Sequence, residues 1–140
     1  MKPSIWCLVL LLHYPLTAVQ AESDAVNKLL QGYAAQGAGM ANGQQGKQLW
    51  QTIFAGIGEF PERSCASCHT ADLSLPGKHK KTQRAIKPMA PFVNPERLTD
   101  SKTIEKWFKR NCKWTLGREC TPQEKANLLL YIDTHINYQE

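Results

Sequence analysis

The residues Cys65-Ala66-Ser67-Cys68-His69 constrain this chain more than any other stretch. Two cysteines separated by two residues and followed at once by histidine form the attachment pattern of a c-type haem. The chemistry explains the spacing. Each thiol adds across a porphyrin vinyl group to give a thioether, and one tight turn presents both sulfurs along one edge of the ring. The next residue then lies under the iron, where a neutral imidazole can coordinate it. Cys65 and Cys68 are therefore the expected thioether positions of one covalent haem c, and His69 its proximal iron ligand. A zinc site would need two more soft ligands at finger-like spacing, and only Cys112 and Cys120 remain, more than forty residues on. A thioredoxin-type pair belongs in a βαβ setting, and no such pattern surrounds the motif.

Residues 1–21 read as a cleavable signal peptide. Lys2 supplies the charge, Ile5 to Leu12 is an apolar run too short to span a bilayer, and Val19-Gln20-Ala21 places small residues where a signal peptidase reads. Cys7 leaves with this leader. The expected mature unit is 22–140, one monohaem cytochrome c domain exported to the periplasm, with no membrane span after cleavage. An oxidising compartment makes a disulfide between Cys112 and Cys120 the expected pairing. The formal net charge of +5, part of it on Lys2, is too mild for the basic stripe of a nucleic-acid binder. A chain this short buries a modest core, and an apolar haem disc adds to it.

Apolar spacing predicts helices. Val26, Leu29, Leu30 and Tyr33 mark one over 24–36, with Asp24 as its cap. A second is expected over 44–55, with Leu49, Trp50, Ile53 and Phe54 as its stripe. Trp50 suits either haem contact or core packing. Residues 55–63 and 73–77 read as loop and turn. Lys78, His79, Lys80, Lys81, Arg84 and Lys87 form a basic loop, either solvated, paired with haem propionates, or a docking face for an acidic redox partner. Pro88, Pro91 and Pro95 keep the next stretch extended. A third long helix is expected from Thr99, Asp100 or Ser101 to Cys112, with Ile104, Trp107 and Phe108 buried. A last one starts at the capping box Thr121-Pro122-Gln123-Glu124 and runs to Ile136, with Leu128, Tyr131, Ile132 and His135 on one face. No useful β alternation appears. The expected class is all-α: a small class I-like cytochrome c fold, four or so helices wrapped around one haem.

Function depends on what faces the other side of the iron. A stable protein ligand favours electron transfer, and an openable site favours binding a gas. Met40, Met89, His79, Asn111, His135 and the lysines are the candidates. Met89, in a proline-flanked loop, would make a plain electron carrier. Asn111 is chemically a feeble ligand, but it directly precedes Cys112. A Cys112–Cys120 bridge closes a short loop, which the chain-entropy account values at about 2.5 kcal/mol. Such a bridge could hold a weak ligand near the iron.

The segment from Asn111-Cys112-Lys113-Trp114 through Cys120-Thr121-Pro122-Gln123-Glu124-Lys125 carries a resemblance. So do Lys87-Pro88-Met89-Ala90-Pro91, Asn94-Pro95, Thr99-Asp100 and Glu105-Lys106-Trp107-Phe108. Over about residues 46–136 the chain resembles the sphaeroides haem protein family of monohaem cytochromes c. The resemblance implies that Asn111 ligates ferric iron and leaves on reduction, that Cys112 and Cys120 are bonded, and that Met89 is not a ligand. It further implies O₂ and NO as ligands, with CO as a probe, and a dihaem cytochrome c and a membrane b-type cytochrome as redox partners. The related cytochrome c double-prime has histidine where this chain has Asn111. Redox chemistry agrees, since a hard amide oxygen suits Fe(III) better than Fe(II). The expected function is electron transfer with redox-gated gas binding; the alternative is an electron carrier with Met89 as stable sixth ligand. No acid–base pair of recognisable spacing points to a turnover reaction.

Overall fold

The structure, a computed structural model, describes residues 23–134. The expected leader and His135 lie outside them. In chain order the elements are α1 (Asp24–Ala35), α2 (Gly43–Gln51), β1 (Phe54–Ala55), β2 (Glu62–Arg63), α3 (Ala66–His69), β3 (Gly77–Lys78), β4 (Ala85–Ile86), α4 (Ser101–Leu116) and α5 (Pro122–Asp133). The strands form two minimal antiparallel pairs, β1 with β2 and β3 with β4. They tie off loops between the helices.

α1 starts at Asp24, the first residue of the expected span, but is capped one residue earlier than expected. Ser23, not Asp24, is the cap: its Oγ accepts from the Val26 amide at 3.2 Å and donates to the Leu98 carbonyl at 2.7 Å. Asp24 instead places its charge in the first turn, where it meets the helix dipole. α2 is capped by Asn42 and stops at Gln51, short of the expected Ala55. Thr52 turns into an extended conformation, with its hydroxyl on the Gln48 carbonyl. Successive β-branched residues, Thr52 and Ile53, favour that exit. Ile53 is therefore 65% exposed, and Phe54 pairs across to Arg63.

α5 packs across α2 and α1. The crossing is tight at Gly46, where a Cβ would stand 2.1 Å from the Asn127 carbonyl oxygen and 2.8 Å from Tyr131 Cβ. Asn127 is buried beside that crossing, and its polar atoms are satisfied. Its Oδ1 accepts from the Asn42 amide and from Gln123 Nε2, both at 2.8 Å, and its Nδ2 donates to Gln45 Oε1 at 2.9 Å. Val26, Tyr33, Trp50, Leu73, Leu129 and Tyr131 lie at the centre of the core. The Tyr33 hydroxyl donates to Glu105, which also pairs with Lys125 at 2.8 Å, so α1, α4 and α5 meet at one carboxylate.

α4 is capped by Asp100, as one of the three expected residues, and runs past Cys112 to Leu116. Nothing at Cys112 breaks a helix. The first breaker is Gly117, which closes the end in the left-handed region at φ 75°. The buried stripe also differs from expectation. Trp107 is 45% exposed and packs under the Arg110 guanidinium. Ile104, Phe108, Asn111 and Thr115 instead form the inward row, at helical spacings of four, three and four. Cys112 and Cys120 are bonded, with Cα atoms 5.5 Å apart, which joins the last turns of α4 to the start of α5. The Thr121–Glu124 capping box and Pro122 stand at that start.

Candidate haem site

The motif forms α3, a single turn. Ser64 and Ser67 build its entrance: the Ser67 amide donates to Ser64 Oγ at 3.0 Å, and Ser67 Oγ donates to the Ser64 carbonyl at 2.7 Å. Neither Cys65 nor Cys68 is in a disulfide, and each is half-buried. Thr70 then adopts φ 68°, a left-handed conformation uncommon for a β-branched residue, and turns the chain sharply away.

Two elements hold the end of α3. From α2, Trp50 Nε1 donates to the Thr70 carbonyl at 2.8 Å, and the Trp50 ring lies 5.5 Å from the His69 ring. Tyr131 meets Trp50 edge-on at 6.0 Å. Trp50 is thus both core and the packing partner of His69. From the other side, β3 lies directly on α3 at Gly77. A Cβ there would stand 2.1 Å from the Cys68 carbonyl oxygen and 2.9 Å from His69 Cα.

Burial, then the charges of Arg97 and His79, push the His69 imidazole down to about 4. At neutral pH it is uncharged, the form that ligates a metal. Its Nδ1 is buried and, among the described residues, has no hydrogen-bond partner. A buried ring nitrogen left unsatisfied is stable where something outside the polypeptide completes the site. Burial pushes the Cys65 thiol up to about 12, against weaker opposing hydrogen bonds from its own backbone and then from the Thr115 hydroxyl. Thiol–disulfide exchange needs the reverse, a readily ionised thiol. Among the described residues no group of three or more His, Cys, Asp or Glu could hold a bare metal ion. Two cysteines three residues apart, one of them a thiol that burial holds protonated, followed by a neutral imidazole, fit a covalently attached haem.

The other wall is α4. Thr115 touches Cys65, and Asn111 lies one turn earlier on the same row. Asn111 is half-buried between Phe108 and Thr115 along that row, and its side-chain amide hydrogen-bonds to no other described residue. The structure treats the remaining ligand candidates differently. Met89 is half-buried against the core, with its own amide and that of Ala90 both donating to the Leu73 carbonyl at 2.9 Å. Met40 is 93% exposed. His79 is exposed, and its Nδ1 accepts from the Thr82 amide at 3.1 Å within its own turn.

Several residues at the site went unnoticed in the sequence. Arg63 anchors the chain just before the motif to the end of α4. Arg97 donates to the carbonyls of Pro88 (2.9 Å) and Lys87 (2.8 Å), which pins the Met89 loop and places a cation near His69. Thr115 and Gly77 touch the motif itself. Three of the four meet backbone atoms, and no residue pattern marks such a partner.

The attachment motif, its neutral imidazole and the helices around it define a monohaem c-type cytochrome, carrying one covalent haem c. The model of a domain of unknown function, DUF1924, matches residues 36–132. The cytochrome c-type protein SHP of Cereibacter sphaeroides is 40% identical over 105 residues, 75% of this chain and 80% of that protein. The structure of oxidised SHP, described as an oxygen-binding cytochrome c, superposes with a TM-score of 0.69 at 39% identity, covering 81% of this chain and 98% of that one. The solution structure of cytochrome c'' from Methylophilus methylotrophus, described in terms of haem-ligand detachment, gives a TM-score of 0.66 at 35% identity, with 78% and 92% covered. The chain belongs to the family of the sphaeroides haem protein, and its fold is the helical cytochrome c fold of these relatives. Among the described residues no helix is long and apolar enough to cross a membrane.

Proposed function

We propose that this cytochrome is a periplasmic electron carrier with a gas-binding site that opens on reduction. Cys65 and Cys68 are its thioether positions, His69 is the proximal ligand, and Asn111 holds the distal position in the ferric state. When bound, the haem would supply a redox-active iron, and the polypeptide's own groups would decide what coordinates it. Trp50 and Gly77 restrain His69 from two sides. Asn111 offers a neutral amide, a donor weak enough to leave when the iron is reduced, and O₂ or NO then takes its place.

One observation carries this reading. Asn111 stands half-buried on the inward row of α4, one turn from the Thr115–Cys65 contact, and its amide, bonded to no other described side chain or backbone group, is available to a ligand. The relatives lend support: SHP is described as oxygen-binding, and cytochrome c'' in terms of haem-ligand detachment. For electron delivery, the β3–β4 hairpin presents Lys78, Lys80, Lys81 and Arg84 to solvent, directly attached to α3 through Gly77. An acidic redox partner suits that hairpin. The family resemblance points to a dihaem cytochrome c and a membrane b-type cytochrome.

Absorption spectra of wild type and Asn111→Ala test the reading. Reduced wild type is expected to bind CO quickly and fully, and ferric Asn111→Ala to show an open or water-ligated haem. An unchanged ferric spectrum in the variant removes Asn111 from the iron. A ferrous spectrum that CO does not move makes Met89 the stable ligand instead.

A further inference from the structure

Arg63 stands two residues before Cys65, and its guanidinium reaches three carbonyls. Nη1 donates to Trp114 at 2.8 Å, Nη2 to Ile57 at 3.0 Å and Nε to Phe60 at 3.2 Å. Its plane also sits over the Trp114 ring, 4.8 Å from the centroid, with Phe60 against the same ring at 6.3 Å. The loop is shaped to admit it: a Cβ at Gly56 would stand 2.5 Å from Arg63 Nε and 2.0 Å from the Phe60 carbonyl oxygen. The Trp114 carbonyl is one of the four that the end of α4 leaves without a helical partner. A cation there meets the negative end of the helix dipole as well.

Arg63 therefore joins the chain that leads into the haem-attachment turn to the helix that carries Asn111, three residues from it. We propose that Arg63 is a positioning residue for the distal ligand. It registers the last turns of α4 against Cys65 and so sets how firmly Asn111 competes for ferric iron. This rests on the reading of Asn111 as that ligand. A strong ligand would tolerate a loosely held helix. An amide contributes little bond strength, so its occupancy depends on being held in place beforehand. The planar fork serves three acceptors and a ring at once, which a lysine cannot do.

The test titrates ferric holoprotein with imidazole, which competes with Asn111 for the iron, in wild type, Arg63→Gln, Arg63→Lys, Asn111→Ala and the Arg63→Gln/Asn111→Ala double variant. Asn111→Ala should bind imidazole most tightly. Arg63→Gln should bind it about tenfold more tightly than wild type, the scale of one charge-assisted hydrogen bond, and Arg63→Lys by a smaller factor. In the Asn111→Ala background the Arg63→Gln change should have no effect, since nothing is left to position. Wild-type affinity in Arg63→Gln overturns the proposal, as does a shift that persists in the double variant, which would mean general loosening of the pocket. If Arg63→Gln fails to take up haem, Arg63→Lys carries the same comparison, and no shift there overturns it. Should Asn111→Ala alone bind imidazole as wild type does, the ligand assignment fails first, a result separable from failure at Arg63.

Discussion

A methyl group added at Gly77 would arrive 2.1 Å from the Cys68 carbonyl oxygen and 2.9 Å from His69 Cα. Both are backbone atoms, which have nowhere to rotate, so β3 or α3 must shift. Gly77→Ala is expected to cost about 1–3 kcal/mol, in the range of overpacking, and to disturb the haem spectrum because His69 is what moves. Gly32, inside α1, has nothing within 4 Å of its added Cβ. Gly32→Ala should stabilise by about 0.5–1 kcal/mol, the helix-propensity difference. Denaturant titration of both holo variants checks the pair, and equal and opposite results would contradict the packing argument only if their signs were reversed. At this scale the haem motif was legible because its chemistry demands a fixed local spacing. Asn111 became a candidate ligand only beside Cys112 and Cys120. Arg63 and Gly77 were not, because what they touch is main chain, some of it fifty residues away.

At the scale of elements, the N-terminus of α5 offers a pH test. The Arg118 guanidinium, donating to both oxygens at 2.7 Å, and then the Thr121 cap hold the Glu124 carboxyl below its usual range. A depressed folded-state value means the native state favours the carboxylate. That stability is present above the ordinary value of 4.5 and is lost as pH falls through the lower folded value. Glu124→Ala should therefore lose about 1 kcal/mol at neutral pH, as for a removed cap. The difference from wild type should shrink as the pH falls from neutral through the lowered folded value, where the wild-type carboxyl loses its charge too. A gap that stays constant across that acid range would mean that Glu124 acts by packing alone. This capping box could be read directly, since cap chemistry is local. The ends of α2 and α4 could not be read as well. At α2 the apolar period continued through Ile53 and Phe54, and the β-branched exit at Thr52 overrode it. At α4 the row runs through half-buried Asn111 and buried Thr115, two polar residues that a search for apolar spacing passes over, while Trp107 turned outward.

Across the whole molecule, order is unevenly supported. α1, α2 and α5 share a packed interface with Val26, Tyr33, Trp50, Leu129 and Tyr131 at its centre. Residues 52–100 contain only the single turn of α3 and four two-residue strands. α3 itself buries no residue. Leu73, Ala90 and Leu98 reach from this middle section into the core, and the rest of it is held by isolated ties: Arg63 to α4, Gly77 on α3, the Leu73 carbonyl shared by Met89 and Ala90, and Arg97 to Pro88. Such a segment opens more cheaply than a helix pair. A covalent haem stays on the unfolded chain as well, but it buries its apolar disc against its neighbours only in the native arrangement, and that burial adds to the arrangement's stability. The Cys65→Ala/Cys68→Ala double variant, made without covalent haem, should therefore not lose order uniformly. Hydrogen exchange should show the Met89 and Ala90 amides unprotected, while α5 amides around Leu128 to Ile132 keep part of their protection. Protection retained throughout 52–100 would mean that the polypeptide ties suffice and that the cofactor is a passenger in the fold. Protection lost equally in α5 would mean that the helix interface is no independent unit, and that folding and haem attachment are one cooperative event.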